Sequence, residues 1–136
     1  MQIIFLTNDL VFSSRVAGAA ARAGLSVQTA ASREALLELT KSADGNPLVL
    51  LDLNAPGVDP AQLVPALRAA VSPPRAIIAY GPHVREDHLA AATTAGCDDV
   101  LTRGQFNVRM DELLQKWRGS TGVVDNTRPD FRAEER

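Results

Sequence analysis

The sequence predicts an α/β domain in which a parallel five-stranded sheet carries helices on both faces. Three observations lead there. Residues 48–51 (LVLL) are an unbroken apolar run bracketed by Gly45-Asn46-Pro47 and Ala55-Pro56-Gly57. Such a run between turn formers marks a strand buried on both faces. Similar short runs recur along the chain and alternate with alanine- and leucine-rich stretches of helical spacing. Glycine or proline punctuates most of the joints, so the loops are short and the units read as βαβ.

In chain order, Gln2–Leu6 is the first strand. Asn8 or Asp9 caps a helix over residues 10–23, with Phe12, Val16, Ala19, Ala20 and Ala23 on one face. Gly24 closes that helix. Residues 25–29 (LSVQT) alternate like a strand near the sheet edge. Ser32 caps a second helix through Leu39 that buries Leu36, Leu37 and Leu39, and residues 47–51 form the third strand. Asp59-Pro60 starts a third helix that runs to about Ala70, with Leu63, Leu67 and Ala70 inward. Pro65 falls within about a turn of its start, where proline costs less than in mid-helix. Residues 76–80 form the fourth strand, with Tyr80 as a buried strand residue, and Gly81-Pro82 ends it. Glu86–Ala95 is an alanine-rich helix stopped by Gly96, Asp99–Thr102 a short fifth strand. Phe106-Asn107 leads into a last helix carrying Leu113, Leu114 and Trp117. Residues 119–136 have no periodicity and are expected to be a disordered or loosely docked tail behind a domain over residues 1–118.

Composition narrows the function classes. A chain of 136 residues, 46% hydrophobic and 22% charged, is long enough for one domain with a real core. A net charge of −2 argues against a nucleic-acid partner, which would need a basic excess. The single cysteine, Cys97, cannot form an internal disulfide; it reads as a small core residue in a reducing cytoplasm. The apolar start at Ile3 meets Asn8 and Asp9 too soon for a signal peptide, and no stretch approaches a membrane span. His83 and His88 lack a second histidine or cysteine at metal spacing and read as surface residues. No Ser-His-Asp order, glycine-rich phosphate loop or zinc spacing is present, so no enzyme is expected.

Asp52 stands at the carboxyl end of the central strand, where open α/β sheets place their sites. Asp52-Leu53-Asn54-Ala55-Pro56 fits a D-x-N-x-P pattern, Gly24 closes the first helix, and AAATTAGCDD spans residues 90–99. On these features the chain resembles a response-regulator receiver domain of the CheY-like superfamily over residues 2–118. The resemblance implies a flavodoxin-like three-layer sandwich with strand order 2-1-3-4-5. It also implies that Asp52 is a nucleophile taking a phosphoryl group from a histidine kinase, with magnesium held by carboxylates and phosphate oxygens. Receivers add an acidic pair after strand one, a hydroxyl after strand four and a lysine after strand five.

The sequence departs from that pattern at each helper. By spacing, the acidic pair falls on Thr7 and Asn8, with Asp9 one residue further on; the hydroxyl falls on Gly81, followed by Pro82; the lysine falls on Arg103, followed by Gly104. Asp52 is left as the sole certain carboxylate, so the expectation is no metal, or a weak magnesium site at Asp52 and Asn54 only if the phosphoacceptor reading holds. Arg103 is expected to form an ion pair with Asp52, and Asn54 and Pro56 to shape the loop. The chain is therefore expected to be a stand-alone pseudo-receiver in a two-component or phosphorelay system, acting by protein–protein contact without phosphorylation. One alternative is a working receiver phosphorylated on Asp52 with an unusual magnesium site. Another is a small-ligand-binding flavodoxin-like domain, which the glycine-free Thr7-Asn8-Asp9-Leu10 turn disfavours. The expected partner is a kinase, scaffold or output protein meeting helices four and five, where Val84, Leu89 and Val100 form an apolar patch; a homodimer would use the same kind of face.

Overall fold

The computed structural model describes residues 2–118, and the expected tail at 119–136 lies outside them. Five strands alternate with five helices: β1 (Gln2–Leu6), α1 (Leu10–Arg22), β2 (Ser26–Ala30), α2 (Arg33–Ser42), β3 (Leu48–Asp52), α3 (Pro60–Arg68), β4 (Ala76–Gly81), α4 (Glu86–Ala95), β5 (Asp99–Thr102) and α5 (Arg103–Arg118). The strands are all parallel, in the order β2-β1-β3-β4-β5. This is the flavodoxin-like order expected from the sequence.

The pleat divides the core in two. Ile3, Phe5, Leu48, Leu50, Ile78 and Tyr80 join Phe12 and Val16 of α1 and Phe106, Leu113 and Leu114 of α5. Ile4, Leu6, Val49, Leu51, Ile77 and Ala79 join Leu36 of α2, Leu63 and Leu67 of α3 and Ala92 of α4. Every residue of β3 is buried because both of its faces are covered. Each such leucine contributes roughly 1.5–3 kcal/mol by leaving water. β2 is the edge strand, and three of its five side chains are exposed.

Several boundaries move for local reasons. β2 starts at Ser26 because the Leu25 N–H still bonds back to the Ala20 carbonyl (2.8 Å) as the chain leaves α1 through Gly24 at φ 75°. α2 continues to Ser42, with Thr40 buried and its hydroxyl donating to the Leu37 carbonyl at 2.7 Å. α3 stops at Arg68 and is capped by Ala69, which places Pro65 at its sixth residue, beyond the first turn. The proline is tolerated there with its ring at the surface.

The largest difference is α5. It begins at Arg103, three residues before the Phe106-Asn107 start expected from sequence. Thr102 Oγ1 accepts the Gln105 N–H (3.1 Å) while Gln105 Oε1 accepts the Thr102 N–H (2.9 Å), a reciprocal capping box. The Thr-x-x-Gln spacing at 102–105 is the signal that could have found it. Strand β5 therefore runs straight into α5, and Arg103 becomes the first helical residue. Among the described residues no helix is long and apolar enough to cross a membrane.

Candidate functional site

The site lies at the carboxyl edge of the sheet, where β1 and β3 are neighbours. Their register pairs Leu6 with Leu51, so Thr7 and Asp52, one residue further on each, emerge side by side. Both are buried, each about 5% exposed. The Thr7 hydroxyl donates to Asp52 Oδ2 at 2.7 Å, and the Asn54 N–H donates to Asp52 Oδ1 at 2.9 Å. The Asn54 side chain and Pro56 point outward in the loop, and Asn8 is exposed.

Asp9 rather than Asn8 caps α1. Its Oδ1 accepts the Phe12 N–H at 3.0 Å, and its own N–H donates to Thr7 Oγ1 at 3.0 Å. Its other oxygen receives the Arg103 guanidinium at 2.5 Å, and that guanidinium also lies 4.2 Å above the Phe12 ring. The Phe12 N–H, with further help from Arg103, holds the Asp9 carboxyl below its ordinary range against desolvation. The ion pair expected between Arg103 and Asp52 is thus replaced by one between Arg103 and Asp9. Asp52 already has nearer donors on both oxygens and is buried, whereas the Asp9 side chain sits at the rim, about 30% exposed, in front of the first residue of α5.

Tyr80 lies opposite Asp52 in the β3–β4 register. Its ring stacks on Phe106 (centroids 4.6 Å, planes 5° apart) and packs against Phe12 at 5.3 Å, as a core residue would. Its hydroxyl, however, is buried with no hydrogen-bond partner among the described residues. Thr7 is close by and keeps one acceptor lone pair, since its oxygen accepts only the Asp9 N–H while its one proton is given to Asp52. Burial, and then the negative charge of Asp52, push the Tyr80 phenol far above its ordinary value, so it stays protonated. Sequence reasoning assigned Tyr80 to the core and missed that its polar end reaches the site.

This arrangement can be set against solved structures. The receiver domain of sensor histidine kinase PA1611 from Pseudomonas aeruginosa matches with a TM-score of 0.71 at 20% identity, covering 88% of this chain and 98% of that one. That structure has a magnesium ion coordinated in its active site cleft. The receiver domain of the TMAO respiratory system response regulator TorR matches at 0.68 with 26% identity, covering 86% of this chain and 97% of that one. This chain has the fold of a response-regulator receiver domain. Full-length FixJ from B. japonicum matches at 0.72 with 20% identity over 85% of this chain, which spans 56% of FixJ. No protein-family model and no curated protein matches the sequence.

Within the receiver fold, Gly81 occupies the end of β4, where the hydroxyl was sought. A Cβ built there would stand 3.3 Å from Leu53 Cβ and 3.7 Å from Leu89 Cδ2. The position is therefore tight as well as lacking a hydroxyl. The donors for magnesium are as constrained. The receiver edge offers two carboxylates, Asp9 and Asp52, and each of their four oxygens already accepts a hydrogen bond: from Phe12, Arg103, Thr7 and Asn54. Arg103 adds a cation beside them. Among the described residues no three acidic, histidine or cysteine side chains are grouped to hold a metal. Magnesium is held by hard, charged oxygens in a near-octahedral array, and these residues do not fit it.

The remaining candidates lie elsewhere. His83 is exposed, and His88 contacts Arg85 at 2.6 Å on the surface of α4. Cys97 is partly buried against the second core, and desolvation raises its thiol to about 11. At ordinary pH it is an inert thiol.

Proposed function

We propose that this receiver-type chain is a signalling module of a two-component or phosphorelay system that works by contact with a protein partner, without phosphotransfer to Asp52. One observation carries the reading: Arg103 is bound to Asp9 while every oxygen of Asp9 and Asp52 is already engaged. Phosphoryl transfer to a carboxylate brings two negative groups together and depends on cationic compensation. Here the nearby cation is spent on Asp9. Gly81 at the end of β4 also leaves no hydroxyl to report on a modified Asp52. A cytoplasmic setting and a protein rather than nucleic-acid partner belong to the same proposal, supported by the lone cysteine and the net charge of −2.

A partner face on α4 and α5 was expected from sequence. Val84 is 72% exposed and fits that face. Leu89 and Val100 instead pack against the second core and add little to an apolar patch.

The competing reading makes Asp52 a phosphoacceptor; its place at the end of β3 and the magnesium in the PA1611 receiver favour it. An amide NMR titration with magnesium and then beryllofluoride, run beside Asp52→Asn, separates the two. The expected result is no change at Asp52, Asn54 or Gly81 at millimolar magnesium. Shifts there that vanish in Asp52→Asn would overturn the phosphorylation-free reading.

A further inference from the structure

We infer that the free edge of β2 is a dimer interface, at which a second copy of this chain adds its own β2 antiparallel and joins the two sheets into one. This partner and face go beyond the proposed function and do not depend on how Asp52 is used. The Thr7 N–H donates to the Ala30 carbonyl at 3.0 Å, so the backbone groups of Ala30, Gln28 and Ser26 turn toward β1. Those of Val27 and Thr29 turn outward, and no strand pairs with them among the described residues. An edge of this kind is ordinarily blunted by charge, proline or shortness. β5, the opposite edge, has four residues and begins at Asp99, which Lys116 and Trp117 hold. β2 has five residues, SVQTA, with no charge and no proline.

The flanks of the strand are uncharged as well. α1 packs over β2, and its arginines are turned the other way, Arg15 to Asn107 and Arg22 to Asp111 of α5. Leu10, Ala17 and Ala21 are the exposed residues on the flank of α1 away from α5. On the other face of the sheet Arg33 of α2 reaches Gln62 of α3, and Lys41 lines the cavity between those helices. The acids of α2 are paired locally, Glu34 with Arg33 and Glu38 with Lys41. Ala35, Leu39 and Ser42 remain on the flank of α2 away from α3. A charged partner finds nothing to pair with along this edge, whereas an identical edge matches it in charge and in spacing. With a two-fold axis at Gln28, Val27 of each copy stands opposite Thr29 of the other, and each such pair exchanges two N–H···O=C bonds. The two Gln28 side chains then meet across the axis, on the side of the sheet that carries Ile4 and α2. A face made of one short strand and two helix flanks is small, so the dimer is weak and exchanging rather than permanent.

The test is sedimentation equilibrium of the full chain from micromolar to millimolar concentration, with amide hydrogen exchange followed by NMR over the same range. A monomer–dimer equilibrium is expected, with the Val27 and Thr29 amides gaining protection as the dimer forms. Gln28 is exposed, so Gln28→Lys and Gln28→Glu keep the fold, which their amide spectra check, while each sets like charges opposite one another at the axis. Each is expected to weaken self-association at least about tenfold, and an equimolar mixture of the two to restore it. A monomer at millimolar concentration would overturn the proposal. So would dimers indifferent to either charge, a mixture no better than its components, or protection that rises only at another face. Equal protection of Val27 and Thr29 at every concentration would overturn it too, since another part of the same chain would then cover the edge. A beryllofluoride response at Asp52 removes the phosphorylation-free reading and leaves the dimer results standing.

Discussion

At the scale of single residues, the site is a short relay of hydrogen bonds with one unsatisfied end. Tyr80 carries that end. A buried hydroxyl without a partner costs about 1–3 kcal/mol, while its ring is held by Phe12 and Phe106. Tyr80→Phe is therefore expected to leave urea-unfolding stability unchanged or raise it by about 1 kcal/mol, and a clear loss would show that the hydroxyl is bonded after all. Asp9 sets a pH dependence. Its folded carboxyl titrates below the value of 3.8 that it would have free, so its contribution is complete above that value. That contribution is lost as pH falls through the lower, folded one. Asp9→Asn keeps a capping side chain but loses the charge facing Arg103, a half-exposed pair worth at most about 1 kcal/mol. The stability gap between Asp9→Asn and the parent should be present at pH 7 and close as pH drops below about 4, measured by urea midpoints across pH. A gap that persists unchanged in acid would place its origin in the cap geometry. Asp9 as a cap was legible from its place before a helical run. Arg103 as its partner was not, because residues 94 apart meet only through the packing of α1 beside α5.

At the scale of elements, the joints between strand and helix decide what the edge can do. The capping box at Thr102 and Gln105 starts α5 without a loop and so aims Arg103 at the first turn of α1. At the end of β4 the limiting neighbour is Leu53. Its Cβ cannot swing aside as a side-chain end can, so a methyl at Gly81 requires it to give by a few tenths of an ångström. Gly81→Ala is expected to cost roughly 1–3 kcal/mol despite the lower entropy of its unfolded chain. The cost should shrink when Leu53→Gly, which removes that Cβ, is combined with it, a coupling that a double-mutant cycle of unfolding free energies reads directly. An additive cycle would mean that the strain arises elsewhere. The glycine was visible in the sequence as a missing hydroxyl. The tight contact was not, since it depends on where the residue after Asp52 points.

For the whole molecule, one sheet separates two cores, and almost everything that builds it is local in origin. The run at residues 48–51 is apolar at every position because it is covered on both sides, and SVQTA of β2 is mixed because it is an edge. Helical spacing of Phe12, Val16, Ala19 and Ala20, with Asp9 before and Gly24 after, specifies α1 from within about fifteen residues of chain. The sequence by itself thus determined the βα alternation, the buried strands, most caps and the location of Asp52 at the carboxyl edge. The strand order followed from the resemblance and is the order observed. Only the tertiary structure decided which side chains meet there. Thr7 reaches Asp52 across 45 residues, Arg103 reaches Asp9 instead of Asp52, the Tyr80 hydroxyl is left unbonded, and Leu53 fills the space at Gly81. The physical reason is range. Periodicity and capping act within a turn or two of chain and are written in neighbouring residues. Side-chain partners at a sheet edge are instead chosen by register and helix packing between distant segments, where a change of a few ångströms exchanges one acceptor for another.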